Sequence, residues 1–242
     1  MSIAEKLTKV AENVPKVYEA GQEVGKQTAY DEFWDVYQNN GKRTQYNYAF
    51  AGSGWDDRTF NPKYSIKPIN GFYMFAQSDI DSWEGVELDT SNMTSCSYMF
   101  QSCFSSKIPP IDITKVTSQY SVNYIFATCT SLKTIEKLIV SENTAYHNAM
   151  FTGTKNLENI TFEGVIGKGG LTMSDCSKLS KTSITSIINA LSKDTNGLAI
   201  TLSKTAVNTA FGINVDDVTT YPEGTEYYNL RHSKDNWTIS YV

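Results

Sequence analysis

Charge is scarce in this chain of 242 residues: Asp, Glu, Lys and Arg make up 19%, against about 25% in ordinary globular proteins. Its 21 basic residues form no cluster, so the electrostatic footprint of a nucleic-acid binder is missing and no nucleic-acid partner is expected. Long apolar runs are also missing. Stretches such as Leu138-Ile139-Val140 fall far short of the roughly 20 residues that cross a bilayer, so no membrane insertion is expected. Residues 1–10 carry Glu5, Lys6 and Lys9 and no apolar segment of a secretory signal, which predicts assembly in the cytoplasm without a leader. The four cysteines, Cys96, Cys103, Cys129 and Cys176, make no CxxC pair, so neither a zinc site nor a disulfide framework is indicated. Histidine occurs twice, at His147 and His232, neither beside a Cys or Asp pattern that would make a nucleophile or a metal site.

Small polar residues take the place of charge: 24 Ser, 26 Thr and 18 Asn, with 12% aromatics. The aromatic content excludes a disordered chain, and the Ser, Thr and Asn content disfavours a helical bundle. Strands, turns and polar ladders fit better.

The strongest pattern is an internal repeat. Tyr73-Met74-Phe75, Tyr98-Met99-Phe100, Tyr124-Ile125-Phe126 and Ala149-Met150-Phe151 recur with the phenylalanines 25, 26 and 25 residues apart. Three residues after each Phe stands a small polar or thiol residue: Ser78, Cys103, Cys129 and Thr154. A degenerate fifth copy places Met173 and Cys176 in the same relation. Each unit continues into an apolar stretch, Leu132-x-x-Ile135-x-x-Leu138 and Leu157-x-x-Ile160-x-Phe162, looser earlier as Ile108, Ile111 and Ile113 and as Trp83, Val86 and Leu88. About 25 residues cannot enclose an apolar stripe alone, but stacked units can share one. The expected class is α+β: a short leucine-rich-repeat-like solenoid with one parallel strand per coil, a helical N-terminal region and capping elements. The Ser/Cys/Thr column is expected to point inward as free thiols and hydroxyls that satisfy backbone groups at the bend.

The phrase Phe126-Ala-Thr-Cys129-Thr-Ser-Leu132-Lys-Thr-Ile135 resembles the BspA-like class of leucine-rich repeat, as do Phe100-Gln-Ser-Cys103 and Phe151-Thr-Gly-Thr154-Lys-Asn-Leu157-Glu-Asn-Ile160. The resemblance covers about residues 70–180 and implies an adhesive or binding scaffold with no enzymatic residues and no cofactor. Upstream, Ile3, Leu7, Val10, Val14, Val17, Gly21 and Val24 fall in a heptad seam interrupted by Pro15. This reads as one short helix ending near Asn13 and a second beginning at Pro15, with a third over 28–37. Ile3, Leu7, Val10, Val14, Val17 and Val24 are candidates for attachment or homo-oligomerisation. The opening residues, Met1-Ser-Ile-Ala-Glu-Lys-Leu-Thr-Lys-Val-Ala-Glu-Asn13 and Lys16-Val17-Tyr18-Glu-Ala-Gly21, resemble the start of tail-associated proteins of phages and prophages of gut Firmicutes. That resemblance implies attachment to other tail or particle components, and a location on the virion tail or outside the cell after lysis.

The expected organisation is a helical region over 1–40, a connector and N-terminal cap over 41–69, the repeats over 70–180 and a C-terminal cap over 181–242. In the last, 182–191 and 205–211 read as helices, and 198–202 and 237–242 as strands. Trp55, Trp83, Tyr120 and Tyr146 stand among Ser, Thr, Asn and Asp, where an exposed ring suits a sugar or a protein hot spot. Glu136, Thr161 and Glu163 are expected as an outward column on the sheet. The Gly164-to-Gly170 segment lacks the spacing of a phosphate loop and reads as a turn. Asp79, Asp81 and Glu84 around Trp83 read as a solvated turn, since a glycosidase needs two carboxylates fixed across a cleft. The expected partner is a bacterial surface glycan or protein. The alternatives are a bacterial repeat protein with no phage link, or a hydrolase of cell-wall sugars.

Overall fold

In the computed structural model, residues 47, 49–51, 65–80, 82–146 and 148–242 are described. The helical region over 1–40 and its seam residues lie outside them, as do Trp55, Asp81 and His147. The described chain is α+β, with parallel sheets, three α-helices and no closed barrel. The strands are β1 (Lys107–Ile108), β2 (Ile111–Asp112), β3 (Thr134–Val140), β4 (Asn159–Gly164), β5 (Leu171–Met173), β6 (Leu198–Leu202) and β7 (Trp237–Tyr241); the helices are α1 (Lys181–Ala190), α2 (Lys204–Phe211) and α3 (Glu226–His232).

The repeat residues stand in register. Phe75, Phe100, Phe126 and Phe151 form one buried file, their rings stacked at centroid distances of 5.3, 5.8 and 5.3 Å. Phe50 extends it by a further 25 residues, its ring 4.8 Å from that of Phe75 and nearly parallel to it. Tyr48-Ala49-Phe50 is thus an upstream copy of the motif that the sequence reading placed in the connector.

Backbone hydrogen bonds explain why the motif must repeat. From the Phe75 unit to the Phe126 unit, alternate N–H groups reach across to the next. Gly71, Tyr73, Phe75 and Gln77 donate to the carbonyls of Ser95, Ser97, Met99 and Gln101, and Cys96, Tyr98, Phe100 and Ser102 donate to Ser121, Asn123, Ile125 and Ala127. The residues between close tight turns on their own unit, as Met74, Ala76 and Ser78 do on Gly71, Tyr73 and Phe75. Every second donor therefore depends on a neighbour, and a single unit would leave those groups unpaired. The turns require left-handed backbone at Tyr73, Gln77, Tyr98, Ser102, Tyr124 and Thr128 (φ 52 to 60°), a conformation that costs an L-residue about 1–2 kcal/mol. Stacking offsets part of this: the Tyr73, Tyr98 and Tyr124 rings lie face to face at 4.4 and 5.1 Å.

The small polar column points inward as expected. Ser78, Cys103, Cys129 and Thr154 are all at or below 1% exposure. The Ser78 hydroxyl donates to the Phe75 carbonyl, the Cys129 thiol to Phe100 O at 2.9 Å and the Thr154 hydroxyl to Phe126 O at 2.5 Å. All four cysteines stand free and buried. Met173 and Cys176 reproduce the turn, the Cys176 N–H donating to Met173 O as Cys103 does to Phe100.

The first sheet has β3 at its centre, with β4 on one side and β1 and β2 on the other. β1 and β2 are one line interrupted by Pro109-Pro110, since both pair with β3 at the same offset (Lys107 with Thr134, Ile111 with Leu138). Between β3 and β4 the register shifts, so that Glu136 and Lys137 together face Thr161, a bulge. The far edge of β4 is covered by α1. Its Ser183 and Ser186 hydroxyls accept the Ile160 and Phe162 N–H groups, each at 2.9 Å, which keeps an open edge from pairing with another chain. Ser180 caps α1, and Ile184, Ile187 and Ile188 seat its apolar face in the core. The buried Lys234 ammonium closes the other end on the carbonyls of Asn189 and Leu191. β5, β6 and β7 form a second parallel sheet. The Gly164-to-Gly170 segment is a close backbone approach: a Cβ on Gly164 would lie 2.1 Å from Val140 O, and one on Gly167 2.5 Å from Glu142 O.

Truncating the middle of the file should be costly. Phe126→Ala is expected to lower unfolding free energy by about 3–5 kcal/mol in urea titration. At Cys129, Thr should retain the bond to Phe100 O, whereas Val should cost about 0.5–1.5 kcal/mol, the worth of one hydrogen bond, because that carbonyl keeps the Cys103 N–H. Burial pushes all four thiols up from their ordinary value. An unfolded chain releases those protons above about pH 8.5, whereas the folded chain holds them. Their contribution is therefore complete below that pH and is lost as pH rises, by up to about 1.4 kcal/mol per thiol per pH unit. Denaturation at pH 8 and pH 10 should show the loss, and a Cys-less variant such as C96A/C103S/C129T/C176S should flatten it.

Candidate functional site

The prolines that interrupt the β1–β2 line also interrupt the sheet behind it. Pro has no N–H to donate, and the unit that precedes β1 makes no strand ladder with it among the described residues. Side chains bridge the seam instead. The Trp83 indole N–H donates to Lys107 O at 2.8 Å, the Asp112 N–H to the Thr90 hydroxyl at 2.6 Å and the Ile80 N–H to the Ser105 hydroxyl at 3.1 Å. Where pairing fails, a pocket of about 410 Å³ opens, lined by Ser82, Trp83, Glu84, Val86, Lys107, Pro109, Pro110 and Glu136. This is at the small end of the range typical of ligand sites.

One wall is a tight turn. The Val86 N–H donates to Trp83 O at 3.1 Å, and Gly85 stands at φ +75° with nothing near its absent Cβ. A left-handed third residue defines a type II turn, which explains the glycine. The turn holds Trp83 rigidly. Its ring meets Phe75 at 5.2 Å and Phe100 at 6.2 Å, both edge-on, while its N–H is committed to Lys107 O. The proline pair also lines the pocket, as do Lys107 and Glu136, which form an ion pair.

Two of the residues expected to bind, Trp83 and Glu136, therefore meet in one pocket. Thr161 and Glu163 are exposed on β4, beside Glu136 across the bulge, and Glu163 takes Lys137 in an ion pair of 2.5 Å. The outward column exists, laced by lysines that the sequence reading left out. Exposed pairs of this kind contribute little to stability. Tyr120 is 78% exposed, in a short 3-10 turn whose carbonyl accepts the Ser97 hydroxyl. Tyr146 is a correction: it is 4% exposed and belongs to the core, so its ring is not offered to a ligand. The preceding Ala145 N–H is tied to Val116 O, which carries Tyr146 into the interior despite its polar neighbours. The stacked Tyr73, Tyr98 and Tyr124 spend their ring faces largely on each other.

Lys107, Pro109, Pro110 and Val86 were not singled out as binding residues. The readable signal was a Pro-Pro pair inside the Ile108-to-Ile113 strand pattern, because prolines within a strand mark an edge or a bulge. Glu84 is exposed on the rim, Asp79 is half-buried, and the described residues contain no group of three or more His, Cys, Asp or Glu arranged to hold a metal ion. His232 pairs with Asp235 at 2.9 Å and packs on Tyr228. Among the described residues no helix is long and apolar enough to cross a membrane.

No family model, curated protein or solved structure matches this chain.

Replacing Pro109 and Pro110 should restore what the prolines remove. P109V/P110T supplies two backbone donors and β-branched side chains, and is expected to lengthen β1–β2 and raise the protection of this segment in hydrogen exchange. Unchanged exchange would separate the pocket from the prolines.

Proposed function

We propose that the chain is a non-enzymatic structural and adhesive protein, a capped leucine-rich-repeat-like solenoid that presents a binding face. Its setting is the tail apparatus of a phage or prophage, where it recognises a glycan or protein of the bacterial surface. The observation that carries this reading is the pocket at the Pro109-Pro110 interruption, contiguous with the outward residues of β3 and β4. It lies on a frame whose aromatic file and backbone ladder fix it in advance. A preformed surface loses little conformational freedom on binding. Attachment of several copies through the N-terminal region would convert modest single contacts into avidity by raising effective concentration.

The test is binding of the fluorescently labelled full chain to intact cells of a panel of gut Firmicutes. Saturable binding to a subset of strains is expected, with at least a tenfold loss in E136K/T161R, whose changes lie on the exposed face. Failure to bind any strain, or indifference to the double substitution, would overturn the reading.

A further inference from the structure

We infer that the Trp83 pocket takes an uncharged pyranose ring, an inference that rests on the adhesive reading above and names its ligand chemistry. The lining alternates in character over a short distance. Trp83, Val86, Pro109 and Pro110 supply apolar surface, while Glu84, Glu136, Lys107 and Ser82 supply acceptors and donors. A sugar ring has the same division, with an apolar C–H face and a rim of hydroxyls, and an aromatic wall beside hydrogen-bonding groups matches it.

Charge decides between ligand classes. The pocket holds one ammonium and two carboxylates within its lining. Glu136 already neutralises Lys107, which leaves the lining with one net negative charge, so an anionic sugar or phosphate would meet Glu84 uncompensated. A like charge across a binding surface is penalised, whereas a neutral polyol can donate to both carboxylates and accept from the ammonium. The Lys107–Glu136 pair is already held across the two strands, so these groups need little reorganisation. The same is true of the indole, fixed by its bond to Lys107 O and by Phe75 and Phe100.

Saturation-transfer difference NMR on the full chain tests this with methyl glucopyranoside, methyl galactopyranoside and N-acetylglucosamine as neutral probes, and with glucuronic acid and a lysine tripeptide as charged ones. Transfer to the ring C–H protons of at least one neutral sugar is expected. Trp83→Ala should abolish it. Because that change also touches the core, E84Q/E136Q is the companion variant: it should weaken binding at least tenfold with an unchanged melting temperature. Glu223→Gln, on a distant loop, is the control and should bind as the parent does. No transfer to any neutral sugar, transfer only to a charged probe, or full binding by both pocket variants would overturn the inference. If cell binding persists while every sugar fails, the pyranose assignment falls and the adhesive reading stands; if the parent chain binds no cells, the adhesive reading falls whatever the sugars do.

Discussion

The structure depends on a backbone constraint. Alternate N–H groups in the Phe75, Phe100 and Phe126 turns find their acceptors on the next unit. Buried amides cannot be left unpaired, so the units form together or not at all. The phenylalanine file and the Ser/Cys/Thr column follow from that arrangement. The rings fill the space between successive turns, and the Ser78 and Thr154 hydroxyls and the Cys129 thiol bind carbonyls that the turns aim inward.

An ordered ladder has to stop somewhere, and three stops among the described residues use side chains. At Gly153 the N–H that would reach a further unit donates instead to the Asp175 carboxylate at 2.7 Å. At β4 two serines of α1 take the outward amides. At β1 and β2 the prolines remove donors, and Trp83 and Thr90 complete the rest. Edge protection and the pocket thus have one cause: the interruption that blunts the edge also leaves room beside it. A position that breaks the local rule of its element is where a site is to be sought.

This coupling also orders stability against function. The core file is continuous from Phe50 to Phe151, so changes there act on the whole stack. The lining of the pocket is exposed or half-buried, and of it only Trp83 and Val86 pack against the core, so the chemistry of the rest can vary with little effect on the fold.

The sequence was sufficient for whatever repeats or follows a period. The phenylalanine spacing, the inward polar column, the strands over 198–202 and 237–241 and the helices near 182 and 205 were all legible, because periodic burial leaves a periodic pattern. Non-periodic features were decided by tertiary structure. The upstream copy at Phe50 had lost its Met. Helix α3 and strand β5 are too short for a clear period. The burial of Tyr146 depends on which neighbour its backbone binds, not on the polar residues beside it. The meeting of Trp83 with Glu136, 53 positions away in the chain, is a consequence of stacking across three successive units, and residues that distant become neighbours only when the backbone ladder sets their register.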